Sequence, residues 1–251
     1  MQFITHTSTV EGAIQRIDFV LGADASGALW RPDGGTEPVA LLLVALGGGQ
    51  HVDTPGVAAR AHRFAEHGYA VAALNNPGQG GRPQTDADIS AIAAIRNPAA
   101  TLQQRGTAIE NYNAVVAPRA LPEWAALLDV LAARYPEIAH KPIGFYGVSL
   151  GAVIGLHLLA AEPRITAARL GLIGGEHLLQ AAQRIRVPVE FVMQWDDELI
   201  SRESSLRLFD ALGSTEKSLH ASPGGHTDVP VHERDSALRF FDRTLRDAGA
   251  S

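Results

Sequence analysis

Short apolar runs recur along the chain: VALLLVAL from Val39 to Leu46, YAVAAL from Tyr69 to Leu74, PIGFYGV from Pro142 to Val148, LGLI from Leu170 to Ile173 and VPVEFVM from Val187 to Met193. They are punctuated by Gly, Pro or Asn, and they are too evenly apolar for half-exposed strands, so they predict strands buried on both faces. Helical patterns fill the intervals. One covers Val57 to His67 before Gly68; a second places Trp124, Leu127, Leu128 and Leu131 on one face after Pro122. Leu150 to Ala161, Ser204 to Leu212, and a last stretch with Leu238, Phe241 and Leu245 complete the set. Strand followed by helix, repeated, predicts an α/β fold: a mostly parallel central sheet of about eight strands with helices on both faces. The first 31 residues, where Gly22 and Gly27 punctuate IQRIDFVL and ALWRP, predict an antiparallel hairpin at one edge.

No repeat, heptad array or long linker divides the chain, so residues 1–251 are expected to form a single domain. Residues 82–121 are too long for an ordinary connection. Leu102, Ile109, Tyr112 and Val116 there have helix-compatible spacing, and the segment is expected to be an insertion or partial lid over the site.

Composition narrows the chemistry. With 251 residues and 46% apolar side chains the chain closes a core without staples. It has no cysteine, which excludes disulfides, thiolate metal sites and thiol catalysis, so any nucleophile is oxygen or nitrogen. The net charge of −6, from 21 basic and 27 acidic residues, comes with scattered basic residues, and neither a nucleic-acid nor a membrane partner is expected. The start MQFITHTSTVEGAIQR lacks the pattern of a signal peptide, and a cytoplasmic location is expected. A homodimer is left open.

Ligands of open parallel sheets bind beyond the carboxyl ends of the strands. The loops there read GGGQHVD, NNPGQGGRP, GGEH and QWDDELIS, and Ser149 follows the third run. Ser149 is the centre of Gly147-Val148-Ser149-Leu150-Gly151, a G-x-S-x-G between an apolar strand and an apolar helix. A tight strand-to-helix turn projects such a hydroxyl out of the sheet, and the flanking glycines keep side chains out of the neighbouring backbone. The helix that starts at Leu150 presents its positive end to a developing oxyanion.

From these residues the chain resembles the α/β-hydrolase family, over Val39 to Leu245: serine esterases, lipases and thioesterases, of about the size of a dienelactone hydrolase and without a large cap domain. The resemblance implies a triad in the order Ser, acid, His. VEFVMQWDDELIS is similar to the family's late strand and acid loop, which implies Asp197 as the acid, with Asp196 one residue away and Glu176 one strand earlier as alternatives. SPGGHTDVP is similar to the family's histidine loop and implies His226. The family's oxyanion loop implies the N–H groups of Leu150 and Gly48, with Gly49 an alternative donor. Gly49, His51, His177, Trp195 and Tyr112 are expected to bind substrate.

The expected function is therefore a serine hydrolase that cleaves a small or medium carboxylic ester, thioester or lactone through an acyl-serine. Acyltransferase, perhydrolase or lyase chemistry on the same triad is the alternative, and a non-catalytic ligand receptor is a weaker one that an intact triad disfavours. No cofactor is expected, because Gly47-x-Gly49 would need glycine at Val52, and Gly78-x-Gly80 at Pro83, to hold a dinucleotide. No metal is expected either. His51 with Asp53, His62 with His67, and His226 with Asp228 each offer only two ligands.

Overall fold

A computed structural model describes residues 2–246. Its nine strands form one sheet in the order β1-β2-β3-β5-β4-β6-β7-β8-β9. The edge is an antiparallel meander of β1 (Phe3–Glu11), β2 (Ile14–Leu21) and β3 (Ala25–Pro32). β3 also runs antiparallel to β5 (Ala70–Leu74). From β5 onward every pairing is parallel, through β4 (Leu41–Ala45), β6 (Ile143–Val148), β7 (Ile165–Gly171), β8 (Val189–Gln194) and β9 (Lys217–Ser222).

The evenly apolar runs are explained by burial on both faces. Within β4, Leu41 and Leu43 join Phe145, Trp124 and Phe191 in one core cluster, while Leu42 and Val44 join Tyr146, Phe64 and Phe241 in the other. Against the first face lie α3 (Leu102–Arg134) and α5 (Leu150–Leu159), and α7 (Arg202–Ala211) contributes Leu208. Against the second lie α1 (Pro55–Glu66) and α8 (Glu233–Phe241), the latter extended by a π turn, Asp242–Arg246. The remaining helices are α2 (Asp86–Arg96) and the short α4 (Pro136–Ala139) and α6 (Leu179–Ala182). Among the described residues, no helix is long and apolar enough to cross a membrane.

The expected N-terminal hairpin is β2 and β3, and a further strand, β1, whose mostly polar residues lie exposed, extends it at the sheet edge. Two other expectations are corrected. Gly27 is not a turn: it lies inside β3 opposite Leu74, where a Cβ would press on the Ala73 carbonyl and the Phe19 ring. Pro122 does not begin a new helix either. α3 runs through both Pro118 and Pro122, at the cost of the backbone hydrogen bonds that proline cannot make. The buried stripe Val116, Ala117, Ala120, Trp124, Leu127, Leu128 and Leu131 continues across both prolines, and its packing holds the helix together. The segment 82–121 is thus α2 plus the first half of α3.

Asp88 joins these two helices. It completes the capping box of α2 with Thr85 and accepts from the Arg119 guanidinium of α3 at 2.8 and 3.0 Å. Burial pushes the carboxyl up, but Arg119 and Thr85 pull harder and hold it below the usual carboxylate range. Because the folded value is depressed, its stabilisation is complete above the ordinary carboxylate range and is lost as pH falls through that depressed value. Asp88→Ala is expected to cost about 2 kcal/mol near neutral pH. Urea denaturation of both proteins should show the difference shrinking as the solution is acidified below pH ~4.

Candidate active site

The carboxyl ends of β4, β6, β7, β8 and β9 lie along one edge, because all five are parallel. β6 passes into α5 through Ser149, whose backbone is left-handed at φ 54° and ψ −127°. For a residue with a Cβ this conformation stores of order 1–3 kcal/mol. Neighbouring backbone enforces it: a Cβ on Gly147 would overlap the Gly151 carbonyl, and one on Gly151 the Ala45 carbonyl. The Ser149 N–H is tied to the Gly171 carbonyl at 2.9 Å. The hydroxyl is thereby carried away from the sheet towards the loops.

Those loops bring two further side chains to it. The His226 Nε2 lies 3.1 Å from Ser149 Oγ, and its Nδ1 lies 2.8 Å from Asp197 Oδ2. An ionised carboxylate only accepts, so Nδ1 carries the proton and Nε2 is free to accept from the hydroxyl. The other Asp197 oxygen accepts from the Leu199 and Ile200 N–H groups at 2.8 and 2.9 Å. Burial raises the Asp197 carboxyl, yet the imidazole and the two amides outweigh it and leave the group below its ordinary range.

The other acids have different partners. Asp196 accepts from the Gly224 N–H at 3.2 Å, and Glu198 from the His226 N–H at 2.9 Å. Glu176 pairs with Arg207 at the surface.

Amide bookkeeping in the loop after β4 is equally definite. The Gly47 N–H donates to Gln50 Oε1 at 3.0 Å, and the Gly49 N–H to Gln79 Oε1 at 2.9 Å. Among the described residues, no acceptor meets the N–H groups of Gly48 or Leu150. Both residues line a cavity of about 740 Å³ that opens on Ser149 and His226. Ile92, Ile95, Ile109 and Tyr112 from α2 and α3 form its apolar wall.

No family model matches the chain, and no curated relative matches it. Solved structures do. The PEG-bound complex of a cold-adapted esterase from an Arctic intertidal metagenomic library is 30% identical with a TM-score of 0.80, covering 98% of this chain and 100% of that one. The chain belongs to the α/β-hydrolase esterases. Acetyl xylan esterase 1 from Thermoanaerobacterium sp. JW/SL YS485 shares the fold at 16% identity and TM-score 0.68, over 97% of this chain and 88% of that one. The Pyrococcus furiosus esterase Pf2001 shares it at 13% identity and TM-score 0.67, over 92% of each chain.

Among the residues expected at the substrate, Gly49 and Tyr112 line the esterase's main cavity. His177 borders only a void of about 20 Å³ beside Ser149. His51 and Trp195 lie apart from these cavities beside Ser149: His51 is exposed beside Asp53, and the Trp195 indole lies under the Arg202 guanidinium at the surface. A loop on the active edge has an outer side as well as an inner one, and these two side chains take the outer.

The residues missed from sequence are acceptors and cations. Gln50, Gln79 and Asp228 hold the amides of Gly47, Gly49 and Gly225, and Glu198 that of His226; for the first three the signal was the glycine itself, whose N–H needs an acceptor in a tight loop. Asn75 accepts from the Val52 N–H and donates to Ser26 Oγ, both at 2.9 Å. Glu190, His220 and Glu233 come close enough together to suggest a metal site. Arg169 fills that role instead, pairing with Glu190 and lying 2.7 Å from Glu233.

Gln79 connects the Gly49 amide to the Tyr112 hydroxyl, which it meets through Nε2 at 3.0 Å, so one side chain ties the glycine loop to α3. Gln79→Ala is expected to lower kcat for p-nitrophenyl acetate about 10-fold while KM changes less than about 3-fold. Gln79→Glu retains the acceptor and should retain more of the rate. Steady-state kinetics beside melting curves separate this from simple destabilisation, which would lower melting temperature and rate together.

Proposed function

We propose that this esterase hydrolyses small or medium carboxylic esters, thioesters or lactones through an acyl-serine intermediate, with Ser149 as nucleophile, His226 as general base and acid, and Asp197 as the residue that orients His226. The observation that carries this reading is the hydrogen-bonded chain from Ser149 Oγ to His226 Nε2, and from Nδ1 to Asp197, at 3.1 and 2.8 Å.

A serine hydroxyl alone is a weak nucleophile at neutral pH. His226 takes its proton as Oγ attacks the carbonyl carbon, and the imidazolium is stabilised by the ionised Asp197. The oxyanion turns to the two unengaged amides, Gly48 and Leu150, at the positive end of α5. The intermediate collapses as the carbon–oxygen bond to the leaving group breaks, and His226 delivers its proton to that oxygen. Water then enters, gives a proton to His226 and attacks the acyl carbon; collapse returns the proton to Ser149 and releases the acid.

The depressed carboxyl of Asp197 supports its ionised role, and its lost partners explain what a substitution does. Asp197→Asn is expected to lower kcat/KM about 10⁴-fold, because a neutral amide neither selects the tautomer nor balances the imidazolium. Asp196→Asn and Glu176→Gln should stay within about 10-fold, since their carboxylates hold Gly224 and Arg207 instead. A fluorophosphonate should add one mass at Ser149 and none in Ser149→Ala. Labelling elsewhere, or an acid series in which Asp196 or Glu176 is the sensitive position, would reassign the triad.

The cavity wall supports acyl selection by α2 and α3. Ile109→Ala removes three carbons from the apolar wall and so enlarges the cavity, and the optimum across p-nitrophenyl esters from acetate to decanoate should move to longer chains. An unchanged profile would place the acyl group elsewhere.

A further inference from the structure

A second cavity, of about 280 Å³, also reaches Ser149 and His226, from between α1 and the start of α8. Its character differs from that of the apolar acyl wall. Arg60 of α1 and Arg234 of α8 both line it, with Gln50 and Tyr146. Among the described residues neither guanidinium pairs with a carboxylate, and the nearby acids are already engaged: Asp235 with Arg63, and Glu233 with Arg169 and His220. The Arg60 guanidinium is stacked 4.7 Å above the Tyr146 ring, which fixes a cation at the cavity wall. The lining thus carries two guanidinium groups, Arg60 and Arg234, against one carboxylate, Glu233, which Arg169 already neutralises, in a chain whose net charge is −6. Unspent positive charge beside the nucleophile is therefore local and not a general property of the surface.

Direction within the reaction assigns the cavity. His226 protonates the departing oxygen, so the leaving group lies along the His226 loop, and Thr227, Val229 and Pro230 of that loop line this second cavity. We propose that the cavity is an anion subsite for the leaving alcohol: Arg60 and Arg234 bind a carboxylate or phosphate carried by the alcohol half of the ester. The inference rests on the acyl-serine reading for its direction. As the carbonyl–oxygen bond breaks, His226 protonates the alcohol oxygen, and the freed hydroxy acid leaves through the arginine-lined mouth. Guanidinium groups suit this role because each offers a planar pair of donors to a carboxylate or phosphate.

The test compares 3-acetoxybenzoate with its neutral methyl ester, and 3-acetoxyphenyl phosphate as the phosphate arm, in wild type, Arg60→Gln, Arg234→Gln and Arg60→Lys. The ratio of kcat/KM for the anionic over the neutral ester, taken variant against wild type, cancels their different intrinsic reactivities. It is expected to fall about 10- to 100-fold in each glutamine variant and to recover in part in Arg60→Lys. A ratio unchanged by both glutamine variants overturns the proposal. Arg234 is exposed, so its variant stays readable if Arg60→Gln fails to fold. Calorimetric binding of 3-hydroxybenzoate to Ser149→Ala needs no turnover: saturable binding that weakens about 10-fold on adding Arg234→Gln supports the subsite, and absent or unaltered binding overturns it. Loss of the acyl-serine reading would look different, as no turnover of either ester by wild type and no labelling of Ser149.

Discussion

The close crossing of α5 over β4 and β6 is the constraint on which the rest of this edge depends. Three backbones meet where Gly147, Gly151 and Ala45 approach, and no side chain fits at the two glycines. The chain can turn from strand to helix there only by placing Ser149 in a left-handed conformation. That conformation aims Oγ at the loops and leaves the Leu150 amide facing outward without an acceptor among the described residues. β4 pairs directly with β6, so the glycine loop that follows β4 is set beside Ser149 by sheet register alone. Parallel pairing of β7, β8 and β9 then delivers the loops bearing Glu176, Asp197 and His226 to the same edge. The stored strain is held in place by apolar burial, for every residue of α5 from Leu150 to Leu156 is buried.

Glycine-rich loops at such an edge create a second problem, since they expose amides that must find acceptors. The esterase solves it with side chains from neighbouring loops. Gln50 and Gln79 serve Gly47 and Gly49, while Asp196, Glu198 and Asp228 serve Gly224, His226 and Gly225. The consecutive acids Asp196, Asp197 and Glu198 thus divide two tasks: the outer two hold the histidine loop and the middle one holds the ring. The N–H groups of Gly48 and Leu150, beside Ser149, have no such acceptor among the described residues.

Much of the fold was legible in sequence because burial on both faces writes itself as an unbroken apolar run, as in VALLLVAL and YAVAAL. β1 and β9 were not legible in that way. β1 is an exposed edge whose Thr5 to Thr9 are all polar, and β9 is only partly buried, so neither carries a strong apolar signature. Local rules misread α3, where Pro118 and Pro122 argue for breaks while long-range packing of Trp124 and its neighbours argues for continuity. At the site, Ser149 was legible from a five-residue pattern whose geometry is local. Asp197 against Asp196 was not a local question, because adjacent residues in a loop differ only in which way they face, and the family resemblance rather than the residues separated them. Arg60 and Arg234 could not be found from spacing at all. They are 174 positions apart and acquire meaning only because their neighbouring acids are taken.

The cluster around Arg169 explains why those two arginines are left with nothing to neutralise. Arg169 is nearly fully buried on β7, and it draws Glu190 from β8 and Glu233 from the first turn of α8. A buried cation of this kind demands its partners, since leaving it unpaired would cost several kcal/mol. His220 of β9 adds a contact to Glu233 at 3.1 Å, which ties the strand before the histidine loop to the helix after it. The loop bearing His226 is consequently pinned at both ends by one charge network. The same network engages the carboxylates nearest the second cavity, so the rigidity that positions His226 and the positive character of that cavity have a common origin.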